Sequence, residues 1–356
     1  MRKVLLSILF LITLSIISGC EKNENSTNDN NGSILYETGV FVANEGLFPS
    51  GSGSISYFNR TTGSVVQDIF EKENNRPLGN IVQSMEVFNS RGYIVVNNAS
   101  KVEVVQLATF KSVGVIDNLT SPRYFLGINN NKGYVSNWAN QVSVVDLNNL
   151  NIIKNIQTGT GPDKMIKVND KVFVLNIGGW SIDSTITVID CNTDSVITTI
   201  QVAPKPDGVV EDKNGWLWVI CSGHGWNGFP APGDSEGHLM AINTDDYTIV
   251  TDIPFPNIDK HPEKLAINNT KDILYYNHPD GIFNFNISAG SLNALPLIQY
   301  TNAFYNIDFD VITGNIYASD PINYNQKGWI FRFNGSTGEK VDSFQAGIIP
   351  GNFCFE

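Results

Sequence analysis

The chain has 356 residues, with 35 Asp and Glu against 23 Lys and Arg, a formal net charge of −12. That balance leaves little to neutralise phosphates or an anionic lipid surface, which argues against nucleic-acid partners and against a basic membrane-binding patch. Only 16% of residues are charged while 11% are aromatic and 31 are Gly, a composition suited to many short strands joined by many turns.

In chain order, the first feature is a leader. Arg2 and Lys3 precede an apolar run from Val4 to Ile17, too short to span a bilayer comfortably, which ends in Ile17-Ser18-Gly19-Cys20. An apolar residue, two small residues and Cys form a bacterial lipobox. The small side chains admit the peptidase, and the Cys20 thiol receives diacylglycerol. Each acyl CH₂ then contributes about 0.8 kcal/mol to anchoring. Residues 1–19 are therefore read as a signal peptide, and 20–35 as the lipidated Cys20 with a disordered tether lacking apolar residues between Glu21 and Ser33. The Lys and acidic residues after Cys20 resemble the surface-export signal of Bacteroidota lipoproteins. This resemblance implies an outer-membrane protein attached by lipid alone and facing the cell surface, with the periplasmic face as the alternative.

Residues 36–356 repeat. One unit reads Gln141-Val142-Ser143-Val144-Val145-Asp146, a polar turn, Asn151-Ile152-Ile153-Lys154-Asn155-Ile156, then Gly161-Pro162-Asp163-Lys164. The next reads Thr185-Ile186-Thr187-Val188-Ile189-Asp190, Ser195 to Ile200, then Lys205-Pro206-Asp207-Gly208. Period-two alternation bounded by Asn, Asp, Gly and Pro predicts half-buried antiparallel strands. Seven units follow, at roughly 39–70, 80–116, 121–156, 161–200, 205–253, 261–298 and 303–347, the period of a β-propeller with four strands per blade. A Pro opens the innermost strand at Pro122, Pro162, Pro206, Pro262 and Pro350, where a missing N–H is harmless. The first unit lacks that innermost strand, and Pro350 to Phe355 match one with no blade after it. The C-terminus should therefore complete the first blade and close the ring. No helical pattern of useful length follows the leader.

Gly133-Tyr134-Val135-Ser136-Asn137 with Val188-Ile189-Asp190 and Ser195 to Ile200 resemble YVTN-type, YncE-like propeller repeats. Trp216-Leu217-Trp218-Val219, its Gly/Trp-rich loop and the ending Gly347 to Cys354 resemble Bacteroidota propeller lipoproteins of the surface-layer, DUF5074 group. That group is similar to BtuG-type lipoproteins, which capture cobalamin beside a TonB-dependent transporter. The resemblance implies a seven-bladed propeller that captures a ligand and a TonB-dependent outer-membrane transporter as partner; it does not fix the ligand, a corrinoid being one candidate.

In a propeller, loops leaving each second strand and loops leading into each first strand share one face. The former begin at Asn44, Asn97, Asn137-Trp138, Asn176, Ser222, Asn277-His278 and Asp320. The recurring Asn has an ordinary explanation, since Asn tolerates positive φ and satisfies turn groups; Asn137 and Asn277 are also ligand candidates. Trp138, Trp180 and Trp226 follow strand ends in three successive blades. With adaptable amides they suit a flat, polar-edged small molecule or glycan, core packing being the other reading. Gly223 to Gly237, with His224, Trp226 and Phe229, is an insertion in the fifth blade, and long loops on rigid scaffolds are often functional. The loops leading into the first strands add Arg123, Tyr124, Asp163, Lys164, Asp207, Glu263 and Lys264 to the same face, around the channel mouth, where they suit either a ligand or pairing between blades. The site is expected beside the fifth-blade loop, over blades four to six.

His224, His261 and His278 map to this face, but no metal-ligand spacing relates them, and no metal is assigned. Cys191, Cys221 and Cys354 are odd in number and far apart, so no disulfide framework or zinc site is expected; Cys221 and Cys354 read as small buried hydrophobes. No nucleophile elbow, Walker loop, dinucleotide fingerprint or zincin motif is present, and no cofactor or catalytic residue is assigned. Three functions remain open: ligand capture for uptake, a structural or adhesive surface protein binding protein or glycan, and a propeller hydrolase or lyase using carboxylates such as Asp207 and Glu263.

Overall fold

The computed structural model describes Tyr36, residues 38–301 and residues 303–356. The leader, Cys20 and the tether lie outside the described residues. Seven four-stranded antiparallel sheets make up the rest. Blade one joins Pro350–Phe355 to Gly39–Asn44, Ser54–Asn59 and Val65–Val66. Blades two to seven begin at Val82, Pro122, Pro162, Pro206, Glu263 and Asn306 and end at Ile116, Gln157, Gln201, Pro254, Gln299 and Ile348.

The chain ends close the ring as their sequence suggests. Val40 faces Phe355, Phe41 faces Cys354 and Val42 faces Phe353. The N–H of Glu356 donates to the Gly39 carbonyl at 3.1 Å. Beneath this seam the guanidinium of Arg60 donates to Asp310 of blade seven at 2.8 Å and also reaches the Glu356 carbonyl. Both side chains are almost fully buried, so removing either partner would leave an uncompensated charge.

The half-burial expected of every strand holds only for some. Second strands are buried on both faces: Trp216–Cys221 of blade five sends Leu217, Val219 and Cys221 into a core with Phe173 and Leu175 of blade four. Trp218 and Ile220 point the other way, into a core with Leu274 and Tyr276 of blade six. A radially stacked sheet has a neighbour on each face, which is why this strand reads as continuous apolar sequence. Polar alternation survives on outermost strands, such as Ser195–Gln201, which are largely exposed. Cys191 and Cys221 are buried free thiols, and Cys354 is half-buried.

One short helix interrupts the all-β pattern. Ile69–Asn74 tucks Ile69 and Phe70 against Tyr36 and Phe110, between blades one and two. Its six residues are too few for a 3.6-residue period to show in sequence.

The innermost strands share a device that matters for the site. A β-bulge breaks the register between Pro122 and Phe125, Pro162 and Met165, Pro206 and Gly208, and Glu263 and Leu265. Bulges re-aim side chains. The bulged residues here are Arg123 and Tyr124, Asp163 and Lys164, Asp207, and Lys264, the charged set expected around the channel mouth.

Candidate functional site

The recurring Asn residues have a structural use, but not through positive φ. Asn44, Asn137 and Asn176 are buried strand ends whose amides reach into their own blade. Nδ2 of Asn44, Asn137 and Asn176 donates at 3.0 Å to Ser56, Ser143 and Thr187 respectively, each two residues into the third strand. Asn97 and Asn277 instead donate to Pro122 and Phe304 carbonyls of the next blade. Asn137 and Asn277 are thus packed into the scaffold, and their Oδ1 atoms have no protein partner.

At the same position blade five has Cys221, facing His238, with Met240 where the hydroxyl would be. The polar clamp is replaced by an apolar contact, and the chain beyond it opens a cavity of about 210 Å³. Gly179 of blade four, Lys205, Asp207, Ser222, Gly225, Trp226 and Asn227 of blade five, and His261 and Glu263 leading into blade six line it. Trp226 and Phe229 are 78% and 77% exposed. Large aromatic faces left in water on a glycine-rich loop are uncommon without a partner.

His261 is 4% exposed. Its Nδ1 lies 2.8 Å from the Ser222 carbonyl, which only accepts, so Nδ1 carries the proton. In the neutral ring Nε2 is then an acceptor, and it has no partner. Gly225, with φ +137°, rests over it; a Cβ there would lie 2.7 Å from Nε2 and 2.8 Å from Asp234 Oδ2. Asn227 Oδ1 accepts the His261 N–H at 2.6 Å, tying the inserted loop to the blade-six connection.

Asp207 is committed. Lys264 donates from its backbone N–H at 2.7 Å and from Nζ at 3.0 and 3.1 Å. Burial alone would raise the Asp207 carboxyl, but Lys264 and then Lys164 hold it well below the usual carboxylate range. Burial lifts Glu263 instead, against the pull of Lys264. Its carboxylate has no hydrogen-bond partner among the described residues. Lys164 also lacks one, and burial followed by Lys264 lowers its ammonium. Tyr124 sits beside Asp163 and Lys264, its phenol pushed up by burial.

The three tryptophans divide. Trp138 lies over Arg123, whose guanidinium is 4.2 Å from the ring centroid, and meets Trp180 edge-on at 5.6 Å. Arg123 in turn donates to Asp163 at 2.8 Å. Trp180 is 96% exposed, so this pair forms a fin beside the cavity. Trp226 stands on the cavity itself, with Lys205 Nζ 5.8 Å from its ring.

The histidines do not meet. His224 binds the Gly233 carbonyl at 3.0 Å. His278 lies in a different cavity of about 230 Å³ between blades five and six, lined by Phe255, Tyr276 and Phe283. Among the described residues no three His, Cys, Asp or Glu side chains assemble as a metal site.

Sequence reasoning passed over Lys205 and Asn227. Lys205 had a signal: like His261 it immediately precedes the Pro at the entry to an innermost strand, although blade six starts its strand one residue later, at Glu263. Asn227 had none beyond membership of the insertion.

A propeller of seven blades, closed by its own C-terminal strand and carrying a long inserted loop at the top of blade five, defines the structural class. The chain belongs to the family described as a domain of unknown function, DUF5074, whose profile matches residues 38–353. No curated protein matches the sequence. Among solved structures it is similar to a quinoprotein alcohol dehydrogenase-like protein from Bacteroides thetaiotaomicron. That match has TM-score 0.67 and 15% identity, covering 90% of this chain and 78% of that one. Hydrazine synthase from Kuenenia stuttgartiensis matches with TM-score 0.62 and 16% identity over 76% and 88% of the two chains. The computationally designed protein Ika8 matches with TM-score 0.59 and 10% identity over 90% and 92%. At these identities the likeness concerns the fold alone.

Proposed function

We propose that this protein is a lipid-anchored binding module that captures a small ligand in the blade-five cavity and passes it to a TonB-dependent outer-membrane transporter. The observation that carries the binding reading is the buried, unpartnered Nε2 of His261 at the wall of a cavity rimmed by exposed Trp226. An orphaned buried acceptor costs about 1–3 kcal/mol, which a ligand hydrogen bond would recover. Anchoring and delivery rest on the lipobox at Cys20 and on the resemblance to BtuG-type capture proteins, which also makes a corrinoid a ligand to try. Catalysis by Asp207 and Glu263 is less favoured, because both Asp207 oxygens already accept from Lys264.

Thermal unfolding in the presence of a small-molecule panel including cobalamins tests the binding reading. A true ligand at 100 times its Kd stabilises the fold by about 2.7 kcal/mol. That shift is expected to vanish when residues 226–232 are deleted. A ligand whose shift survives the deletion would place the site elsewhere.

A further inference from the structure

We propose that the ligand of the blade-five cavity is an uncharged, hydroxyl-rich ring, a sugar unit, stacked on Trp226 and donating hydrogen bonds to Glu263 and His261. This rests on the binding reading above and adds the chemical class.

Three properties of the lining lead to it. The first is polarity of hydrogen bonding. Glu263 offers carboxylate oxygens with no protein partner, and His261 Nε2 is an acceptor once Nδ1 donates to Ser222. Among the described residues the Ser222 hydroxyl is also without a partner, and Asn227, whose Oδ1 accepts the His261 N–H, has none for its Nδ2. The wall thus offers acceptors at Glu263 and His261 Nε2 beside donors at Asn227 Nδ2 and Lys205 Nζ. It suits a molecule whose every substituent can both donate and accept, as hydroxyls do.

The second is charge. Asp207 and Lys264 neutralise each other across 3.0 Å. What remains at the cavity is one cation, Lys205, and one anion, Glu263, whose fields offset each other. A ligand with net charge would find no unmatched counter-charge, whereas a neutral one is not penalised.

The third is shape. A cavity of about 210 Å³ admits one substituted six-membered ring, not an extended polymer lying flat. Trp226 supplies an exposed aromatic face for the C–H surface of that ring. Gly225 covers Nε2 with only an α-hydrogen, so a modest lift of the loop lets a hydroxyl take its place. A side chain at that position would block it.

The test is a glycan array of neutral, amino and acidic sugars, followed by calorimetric titration of the best hits and of cobalamin. Neutral sugars should bind. Trp226→Ala should abolish detectable binding, Glu263→Gln should weaken it about tenfold and Gly225→Ala by at least as much as Glu263→Gln, with unfolding temperatures near wild type for the first two. If the best ligands are acidic or amino sugars, or if Glu263→Gln leaves affinity unchanged, the proposed class is wrong. If no sugar binds but cobalamin or a purine does, and Trp226→Ala abolishes it, the class is wrong while the binding site stands. If nothing binds in a Trp226-dependent way, the binding reading fails with it.

Discussion

Blades four and five differ at a pair of neighbouring strand positions, and the difference separates scaffold from site. In blade four Asn176 ends the second strand and donates to Thr185 at 2.9 Å and Thr187 at 3.0 Å, holding the next loop against the sheet. In blade five Cys221 and Met240 take the two places, with no amide to hold the chain, and the following loop rises into the Gly223 to Gly237 insertion. Asn and hydroxyl occur together in blades one, three and four; blade six keeps Asn277 without a third-strand hydroxyl, and the second strands of blades two, five and seven end in Val96, Cys221 and Asp320. In blade two the third-strand position holds Glu103, bonded to Arg76 at 2.7 Å and Lys101 at 2.9 Å. Blade five is where both places are apolar, blades two, six and seven keeping Glu103, Asn277 and Asp320 there, and it is the blade that carries the Trp226 cavity.

The sharpest way to break the contrast is at the ring seam, which every blade needs. Deleting residues 350–356 strips blade one of its inner strand and exposes the Gly39–Asn44 edge. Loss of cooperative unfolding, or aggregation on expression, is expected; a soluble protein with an unchanged melting temperature would contradict closure by the C-terminal strand. Next in size is Asn176→Ala. It should lower stability by about 1–3 kcal/mol in denaturant titration and leave ligand affinity unchanged, because Thr187 loses its buried partner. Trp226→Ala should do the reverse: stability within about 0.5 kcal/mol of wild type, with binding lost. If either variant moves both quantities, scaffold and site are not separable in this way.

The pH-dependent effect concerns two buried carboxyls on innermost strands. Burial raises Glu86 to about 7, with the Gly127 N–H opposing, and raises Asp308 to about 6, with Lys164 opposing. The folded chain therefore holds more protons than the unfolded one between the ordinary and the raised values. Stability should fall as pH rises from about 4.5 to 7. Glu86→Gln should flatten that slope in melts taken across the range. Asp207 works in the opposite sense: its contribution is present at neutral pH and is lost on acidification below the ordinary carboxylate range.

Blade count and ring closure were legible because they depend on local rules. Pro122, Pro162, Pro206 and Pro350 each stand where a strand begins, and Asp146 and Asp190 where one ends. Burial of second strands on both faces was not legible from period-two alternation, since it depends on two neighbouring sheets rather than on one strand. The bulges that aim Asp207 and Lys264 at each other leave no mark in composition, and the 2.7 Å contact between them joins residues 57 apart. The fifth-blade loop stood out as an irregularity, and Trp226 within it is on the cavity. His278, grouped with it by sequence, belongs to another cavity, where it packs against Phe255 and Phe283. Asn137 looked like a loop residue and is a strand end, a difference of one residue that decides whether its amide faces solvent or sheet.

The account stands most directly on where a ligand acts. The deciding measurement is the ligand-induced rise in melting temperature, compared among wild type, Asn176→Ala, Trp226→Ala and Phe283→Ala proteins. Phe283 lines the cavity between blades five and six. The rise should persist in Asn176→Ala and Phe283→Ala and disappear in Trp226→Ala. A rise that survives Trp226→Ala and disappears in Phe283→Ala would move the function to the other cavity and contradict the account.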